Sequence, residues 1–318
     1  MTVRTPSRLH FSMVDMRGDL GRIHGSVGVA IDRPQIVLRA APSDELVVTG
    51  PRAERVREYA ETLLRASELE LGAEIELVSD IPEHSGFGSG TQLALAVGAA
   101  LSELHDLDLS PNDVALKLNR SRRSGIGTYA FMRGGFIVDG GHRVDKMESL
   151  PPLLFRSDVP EDWMFVIGLP EIAQKLSGDV ENEAFKKLAP PPDLLVSQIS
   201  RIILFQLMPA IVEGDIVNFG SAMTSIDYKF GEYWKDVQGG VFSHPLIETG
   251  VEFLHEMGAY GVGQSSWGPA FYGLVEGEDQ AGKFTEKLYS HLNSGGRKGK
   301  AFVAAPNNEG ATVTVEIQ

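Results

Sequence analysis

Cysteine is absent from this 318-residue chain, which excludes disulfides, thiolate metal sites and cysteine nucleophiles. The absence suits a reducing compartment, and a cytoplasmic location is expected. Basic side chains are scarce, 29 against 43 acidic ones, and the formal net charge of −14 opposes non-specific binding to nucleic acid or an anionic membrane. An anionic ligand would have to rely on local clusters of arginine. The eight histidines contain no His-Glu-x-x-His pair, so no metal-ligand spacing is legible. Long apolar runs are missing too. The most apolar segment, Ile202–Val212, is interrupted by Gln206 and Pro209 and is too short for a hydrocarbon core of roughly 30 Å. It reads as a buried helix or a subunit contact, and it allows a homodimer. No charged segment followed by an apolar one opens the chain, so no signal peptide is expected. Neither an internal repeat nor a low-complexity segment interrupts it.

What is present is a chain long enough for a sizeable core, 42% hydrophobic, with 35 glycines. Strand-like runs fall near Arg8–Val14, Ser26–Ile31, Gln35–Ala40 and Leu46–Thr49. A helix follows, with Pro51 in its first turn and Val56, Tyr59, Ala60, Leu63 and Leu64 at helical spacing. Ala73–Ser79 alternates like a half-buried strand, Thr91–Leu104 reads as a compact helix, and Ser110-Pro-Asn-Asp113 carries the cap, proline and acid of another helix start. Gly135–Asp139 looks like a return strand. The prolines at 151, 152 and 160 suggest a connection between two domains, 1–158 and 159–318. Beyond it come a strand at Trp163–Gly168 and helical patterns near Asp193–Glu213, Asp215–Tyr233 and Pro245–Met257. A strand at Ala270–Val275, a helix near Asp279–Leu292 and strands near Ala301–Ala304 and Ala311–Ile317 complete the chain.

Three glycine turns punctuate this pattern. The first, Ile81-Pro-Glu-His-Ser-Gly-Phe-Gly-Ser-Gly-Thr91, leads from a strand into a helix N-terminus. Gly86, Gly88 and Gly90 let the backbone approach a ligand, and unpaired amides together with the helix dipole favour an anion. The loop is neither a P-loop, since no lysine follows Gly90, nor a Rossmann fingerprint, which would open the first βαβ unit. Taken alone, it also fits an ordinary helix cap. The other turns are Arg120-Ser-Arg-Arg-Ser-Gly-Ile-Gly127 and Gly261-Val-Gly-Gln-Ser-Ser-Trp-Gly268.

In order and spacing these turns resemble the three motifs of the GHMP kinase superfamily, with Phe87 and Gly90 as departures in the phosphate loop. The resemblance implies an α+β fold: a ribosomal-protein-S5-like N-terminal domain and a ferredoxin-like C-terminal domain, with the active site between them. In the kinases the Asp of the second turn commonly serves as the catalytic base. Here that position is Gly127, which has no side-chain acceptor for a hydroxyl proton. Further segments resemble a non-kinase branch, the beta-ribofuranosylaminobenzene 5'-phosphate synthases. They are Thr5–Phe11, Asp15, Gly21–Ala30, Arg123–Gly127, Gly134–Gly141 and Gly263–Pro269, and they span both halves of the chain.

This resemblance implies condensation of 5-phosphoribosyl diphosphate with 4-aminobenzoate or 4-hydroxybenzoate in methanopterin biosynthesis, with release of diphosphate and carbon dioxide. An ATP-dependent small-molecule kinase is the competing reading, and a silent binding module a third. For the transferase, the backbone His84-Ser85-Gly86 to Gly88-Ser89-Gly90-Thr91 is expected to hold the diphosphate. Mg2+ would arrive with it, held by one or two carboxylates and water; Glu83 is the nearest acid. Arg120, Arg122 and Arg123 suit phosphate or carboxylate, and equally suit an exposed basic turn at a helix C-terminus. Asp15 and Arg22 are the catalytic candidates, Asp15 for Mg2+ or the amino group and Arg22 for phosphate or carboxylate; a salt bridge across the Met16–Gly21 turn is the competing explanation. Arg8 and His10 share one face of an alternating strand, either toward the ligand or solvated, with Leu9 and Phe11 on the other. His24, Gln264, Ser265 and Trp267 complete the substrate-binding set, Trp267 either stacking on the aromatic substrate or closing the domain interface.

Overall fold

Thr2–Asp15 (β1) and Arg22–Ser43 (β2) form a long antiparallel ribbon in the computed structural model, which describes residues 1–66, 72–172 and 188–315. The strands expected at 26–31 and 35–40 are one strand. The pairing jumps from Thr5–Ile36 to Ser7–Ile31, so residues 32–35 bulge from the ladder and Pro34 deprives it of no hydrogen bond. Leu46–Thr49 (β3) lies parallel to Gly72–Ser79 (β4), which pairs with the second half of β2. Phe136–Asp139 (β5) and His142–Arg143 (β6) pair with its first half, and Leu153–Ser157 (β7) lies beside β5. Thr312–Thr314 (β12) returns to pair with β1, giving an eight-stranded sheet whose main path is β12-β1-β2-β4-β3. The expected strand end at 316–317 lies outside the described residues.

Ala53–Ala66 (α1) buries Val56, Tyr59, Ala60, Leu63 and Leu64 as its spacing predicts, although Pro51 sits just ahead of the helix rather than inside its first turn. Ser89–His105 (α2) is apolar nearly all round and runs through the core. Ser110 caps Pro111–Lys117 (α3) with a complete capping box, accepting from the Asp113 amide while the Asp113 carboxylate accepts from its own. Ile126–Arg133 (α4) was read as part of a turn. Gly125 at its N-cap and Gly127 in its first turn hide a helix whose first six residues are buried.

The second sheet is antiparallel throughout, ordered β11-β8-β10-β9, from Trp163–Pro170 (β8), Gly261–Gln264 (β9), Phe271–Glu276 (β10) and Gly299–Ala304 (β11). The third glycine turn therefore starts as an edge strand. Among the described residues the helices accompanying this sheet are Asp193–Glu213 (α5), Ile216–Gln238 (α6), Pro245–Glu256 (α7) and Glu278–Leu292 (α8). α5 contains a π turn at Ile203–Leu207, just ahead of Pro209, whose missing amide cannot continue the regular ladder. At 21 residues it is longer than the 202–212 segment and apolar enough to cross a membrane by length and composition. One side gives Ile199, Ile203, Leu207, Ala210 and Ile211 to the core, while Leu204, Phe205 and Val212 are exposed.

Aromatic rings join the two halves. Phe219 of α6 lies 5.0 Å from Trp163, 5.5 Å from Phe136 and 6.3 Å from Phe11. Tilted and edge-on pairs of this kind are worth ~0.5–1.5 kcal/mol each beyond their burial, so the seam where the glycine turns meet is rigidly backed.

Candidate active site

The glycine loop leaves β4 and is pinned before it enters α2. Ser85 Oγ donates to the Pro82 carbonyl at 2.6 Å, and Phe87 is fully buried with its ring 6.2 Å from Phe302 of β11. Gly88 is the N-cap in the left-handed region, and the Thr91 and Gln92 amides both donate to its carbonyl. The amides of Ser89 and Gly90 in the first turn have no intrahelical acceptor, and the positive end of a 17-residue helix stands behind them.

β1 stitches this loop to the C-terminal glycine turn. The Arg8 amide donates to the Phe87 carbonyl at 3.2 Å, and the Arg8 guanidinium donates to Gly86. Ser265 Oγ donates to the Gly86 carbonyl at 2.7 Å and accepts from the His10 amide at 3.0 Å. The Ala270 amide donates to the Ser85 carbonyl at 3.1 Å. Only glycines permit this contact: a Cβ on Gly86, whose φ is +92°, would lie 2.3 Å from the Ser265 carbonyl oxygen, and one on Gly268 would lie 2.1 Å from the Gly86 nitrogen.

Above the seam opens a cleft of about 330 Å³ lined by Arg8, Arg52, Arg55, Tyr59, Arg120, Glu83, the loop from His84 to Thr91 and Ser266–Gly268. Arg120 stacks over Tyr59 with its Cζ 5.2 Å from the ring centroid, donates to the Tyr59 hydroxyl, and sits over Gly90 at the start of α2. Arg52 grips Asp80 through two nitrogens and reaches Glu83 at 3.3 Å, and Arg55 pairs with Glu58 at 2.8 Å. Arg8 and Arg120 are the cations that stand against the loop itself, Arg8 beside Gly88 and Arg120 beside Gly90.

A second pocket shares Ser266 and Trp267 with the cleft. Its apolar rings are Phe11, Phe230, Trp234, Phe242 and Trp267, and its polar lining includes His10, Ser12, Asp227, Gln238, Gln264 and Ser266. Trp234 and Trp267 meet edge to face at 4.5 Å. Burial, aided by the Arg8 charge, pulls His10 down to about 3, so its imidazole is neutral. Burial pushes Asp227 up to about 8 against the opposing pull of the Gln264 amide, which donates to its Oδ2 at 2.9 Å. The carboxyl is therefore mostly protonated at neutral pH.

The predicted residues thus fall into three places. Arg8, His84, Ser85, Gly86, Gly88, Ser89, Gly90, Thr91, Arg120 and Trp267 line the cleft. His10 and Gln264 line the pocket; the Arg8 and His10 face of β1 is covered by the C-terminal turn rather than solvated. Gln264 braces that turn, its Nε2 donating to Ser243 Oγ and to the Ser266 and Gly268 carbonyls, and the buried Ser265 fastens the seam. Asp15, Arg22, His24 and Arg123 line neither space. Asp15 Oδ1 accepts from the Arg17 amide at 2.7 Å, and Arg22 donates to the Gly140 and Gly141 carbonyls at 2.7 Å each. No Asp15–Arg22 ion pair is recorded among the described residues. His24 faces His142, ring centroids 5.8 Å apart, and burial followed by the His142 and Arg123 charges lowers it to about 4. Arg122 is exposed.

Sequence reasoning missed Arg52, Arg55, Tyr59, Asp227, Phe230 and Trp234. A lone acid between Ile226 and Phe230 on an otherwise apolar helix face is the one signal that pointed to Asp227. At the second turn, Gly127 lies in the first turn of α4, where an added Cβ would be 3.2 Å from Thr91 Cγ2.

Family models agree with this layout: GHMP kinases N terminal domain matches residues 54–135 and GHMP kinases C terminal matches residues 207–294. A beta-ribofuranosylphenol 5'-phosphate synthase from Methanothermobacter thermautotrophicus is 36% identical, over 87% of this chain and 89% of its own. The chain belongs to the beta-ribofuranosylphenol 5'-phosphate synthase family. A second member, from Archaeoglobus fulgidus, is 34% identical over 99% of this chain and 100% of its own. The protein is an enzyme of this family, and the expected membership is met, under relatives whose names say phenol rather than aminobenzene. The expected two-domain α+β fold is met as well: the homoserine kinase of Cytophaga hutchinsonii superposes with a TM-score of 0.70 at 16% identity, covering 99% of this chain and 97% of that one.

Proposed function

We propose that this synthase-family protein is a decarboxylating phosphoribosyltransferase that joins 5-phosphoribosyl diphosphate to 4-hydroxybenzoate or 4-aminobenzoate, releasing carbon dioxide and diphosphate, as a cytoplasmic step of methanopterin biosynthesis. The observation that carries the reading is the junction of two unlike spaces: an arginine-lined cleft at a helix N-terminus opens beside an aromatic pocket across Trp267. The diphosphate lies on the loop and on Arg8 and Arg120, where charge-assisted bonds and the dipole favour the leaving group's charge. The ring reaches ribose C1 from the Trp267 side, and holding both reactants replaces a bimolecular encounter.

No cluster of three or more His, Asp or Glu side chains forms a ready metal cage among the described residues. Mg2+ carried in by the diphosphate would meet Glu83, the carboxylate lining the cleft, and would supply charge neutralisation on the leaving group. A homodimer through the exposed Leu204, Phe205 and Val212 belongs to the same proposal. Incubation with phosphoribosyl diphosphate, Mg2+ and carboxyl-labelled substrate tests the reading. Equimolar carbon dioxide and diphosphate are expected. Release of neither, or ATP consumption with a small alcohol in its place, refutes it.

A further inference from the structure

We propose that Asp227 binds the ring substituent opposite the carboxylate of the aromatic substrate and accepts its proton while the ring attacks ribose C1. The inference rests on the transferase reading and adds the residue that chooses and activates the aromatic partner.

Position carries it first. Asp227 is the one carboxylate lining the aromatic pocket among the described residues, and this pocket meets the anion cleft only through Ser266 and Trp267. The pocket holds about 50 Å³, room for a substituent and a ring edge but not a whole benzoate. A ring entering from the cleft therefore places its hydroxyl or amino group beside Asp227. Its carboxylate-bearing carbon stays at the boundary, on the side where ribose C1 must lie. Entry the other way round would put the carboxylate against Asp227 and the reacting carbon away from the sugar.

The polar groups around Asp227 leave it this task. Its Oδ2 accepts from the Gln264 amide at 2.9 Å, which fixes the carboxyl's orientation. The groups facing it are His10 from β1, the fully buried Tyr272 hydroxyl from β10, and Tyr228 on its own helix; none is a cation at neutral pH. Among the described residues Tyr272 Oη has no hydrogen-bond partner. Asp227 Oδ2 and Tyr272 Oη both lie within 2.8 Å of where a Cβ on Gly263 would stand, so the two converge on one spot that a side chain at 263 would block.

The chemistry balances. The ring carbon bearing the carboxylate bonds to ribose C1 as the C1–oxygen bond breaks, its pair departing on diphosphate. The O–H or N–H proton passes to the Asp227 carboxylate, leaving a cyclohexadienone or its imine instead of a cationic ring. The bond to the carboxylate then breaks, carbon dioxide leaves, and its pair restores aromaticity. Asp227 returns the proton to the oxygen or nitrogen. A carboxyl displaced to about 8 is a stronger base than an ordinary aspartate, and its ionised fraction grows through that range.

The test pairs binding with turnover, using the full-length protein and Asp227→Asn, with circular dichroism as the check on folding. Quenching of the pocket tryptophans reports binding of 4-hydroxybenzoate and of unsubstituted benzoate. The native protein should prefer the hydroxy compound tenfold or more, and the variant should bind both alike. In turnover, the variant should lose a hundredfold or more in kcat, with the KM for phosphoribosyl diphosphate unchanged, and the rise of the native rate up to about pH 8 should vanish. Equal binding of the two benzoates by the native protein, a preference kept by the variant, or an unaltered pH profile would each overturn the inference. Should the variant abolish the preference while the native protein releases no carbon dioxide with phosphoribosyl diphosphate, the transferase reading falls and the substituent site stands.

Discussion

Gly268→Ala is the sharpest perturbation of the seam. Its Cβ would lie 2.1 Å from the Gly86 nitrogen and 2.2 Å from the Ser85 carbonyl carbon, both backbone atoms that no side-chain rotation can clear. Loop and turn must part by about 1 Å, which breaks or bends the Ala270–Ser85 and Ser265–Gly86 hydrogen bonds. Each such bond is worth about 1 kcal/mol, and residual overlap in a packed interior costs ~1–3 kcal/mol, for a total loss of about 3–5 kcal/mol. Urea unfolding measures the stability term. The KM for phosphoribosyl diphosphate should rise in parallel, because the same displacement tilts the loop away from Arg8. Gly88→Ala is the control: its φ is +78°, but its nearest neighbour is the flexible Arg8 side chain at 3.3 Å, so only backbone strain of ~1–2 kcal/mol is expected. A Gly268→Ala protein within ~0.5 kcal/mol of the native one, at the level of an ordinary surface change, would refute the close-approach argument.

Arg120→Gln should raise the KM for phosphoribosyl diphosphate ten- to a hundredfold, about 1.5–3 kcal/mol for a charge-assisted bond, with a smaller change in kcat; an unchanged KM removes Arg120 from the anion site. Arg22→Ala should lower the melting temperature, because two backbone carbonyls lose their donor; an unchanged melting temperature would show that these bonds brace nothing. The buried histidines set an acid limit. His10 and His24 sit at about 3 and 4 when folded and near 6.5 unfolded, so the unfolded chain binds more protons below pH 6.5 and their contribution falls from there toward pH 4, which denaturation at stepped pH will show. Asp227 acts oppositely: raised to about 8, it costs stability increasingly as pH climbs from its ordinary value toward 8, so Asp227→Asn should unfold later than the native protein at pH 8, and an equal midpoint contradicts the burial argument. Phe205→Glu should leave the fold intact and yield monomers by sedimentation if the exposed α5 face pairs two copies.

Much of the fold was legible because period and punctuation agree locally. The Ser110 capping box and the stripe from Val56 to Leu64 specify their helices without distant help. The glycine loop was legible for the same reason, since close approach and a left-handed cap demand glycine. The rest depends on partners far along the chain. Arg22 is satisfied by carbonyls at 140 and 141, and Asp227 by an amide at 264 and rings from β1, α6 and the C-terminal turn; no local spacing encodes these. α4 was hidden because Gly125 and Gly127 read as turn residues, although they serve tight packing against α2 and β5. β7 was hidden behind Pro151 and Pro152, which end the preceding loop and leave the strand free to pair with β5.

The proposed reaction forms a carbon–carbon bond between the sugar and an aromatic ring as diphosphate leaves. Phosphoribosyl diphosphate labelled with carbon-13 at C1 and 4-hydroxybenzoate labelled at the carboxylate-bearing ring carbon would be incubated with the protein and Mg2+, and the product examined by carbon NMR. One-bond coupling between the two labels, with the carboxylate gone, is the predicted result. Labels that stay uncoupled, or a product that keeps its carboxylate, would contradict the account.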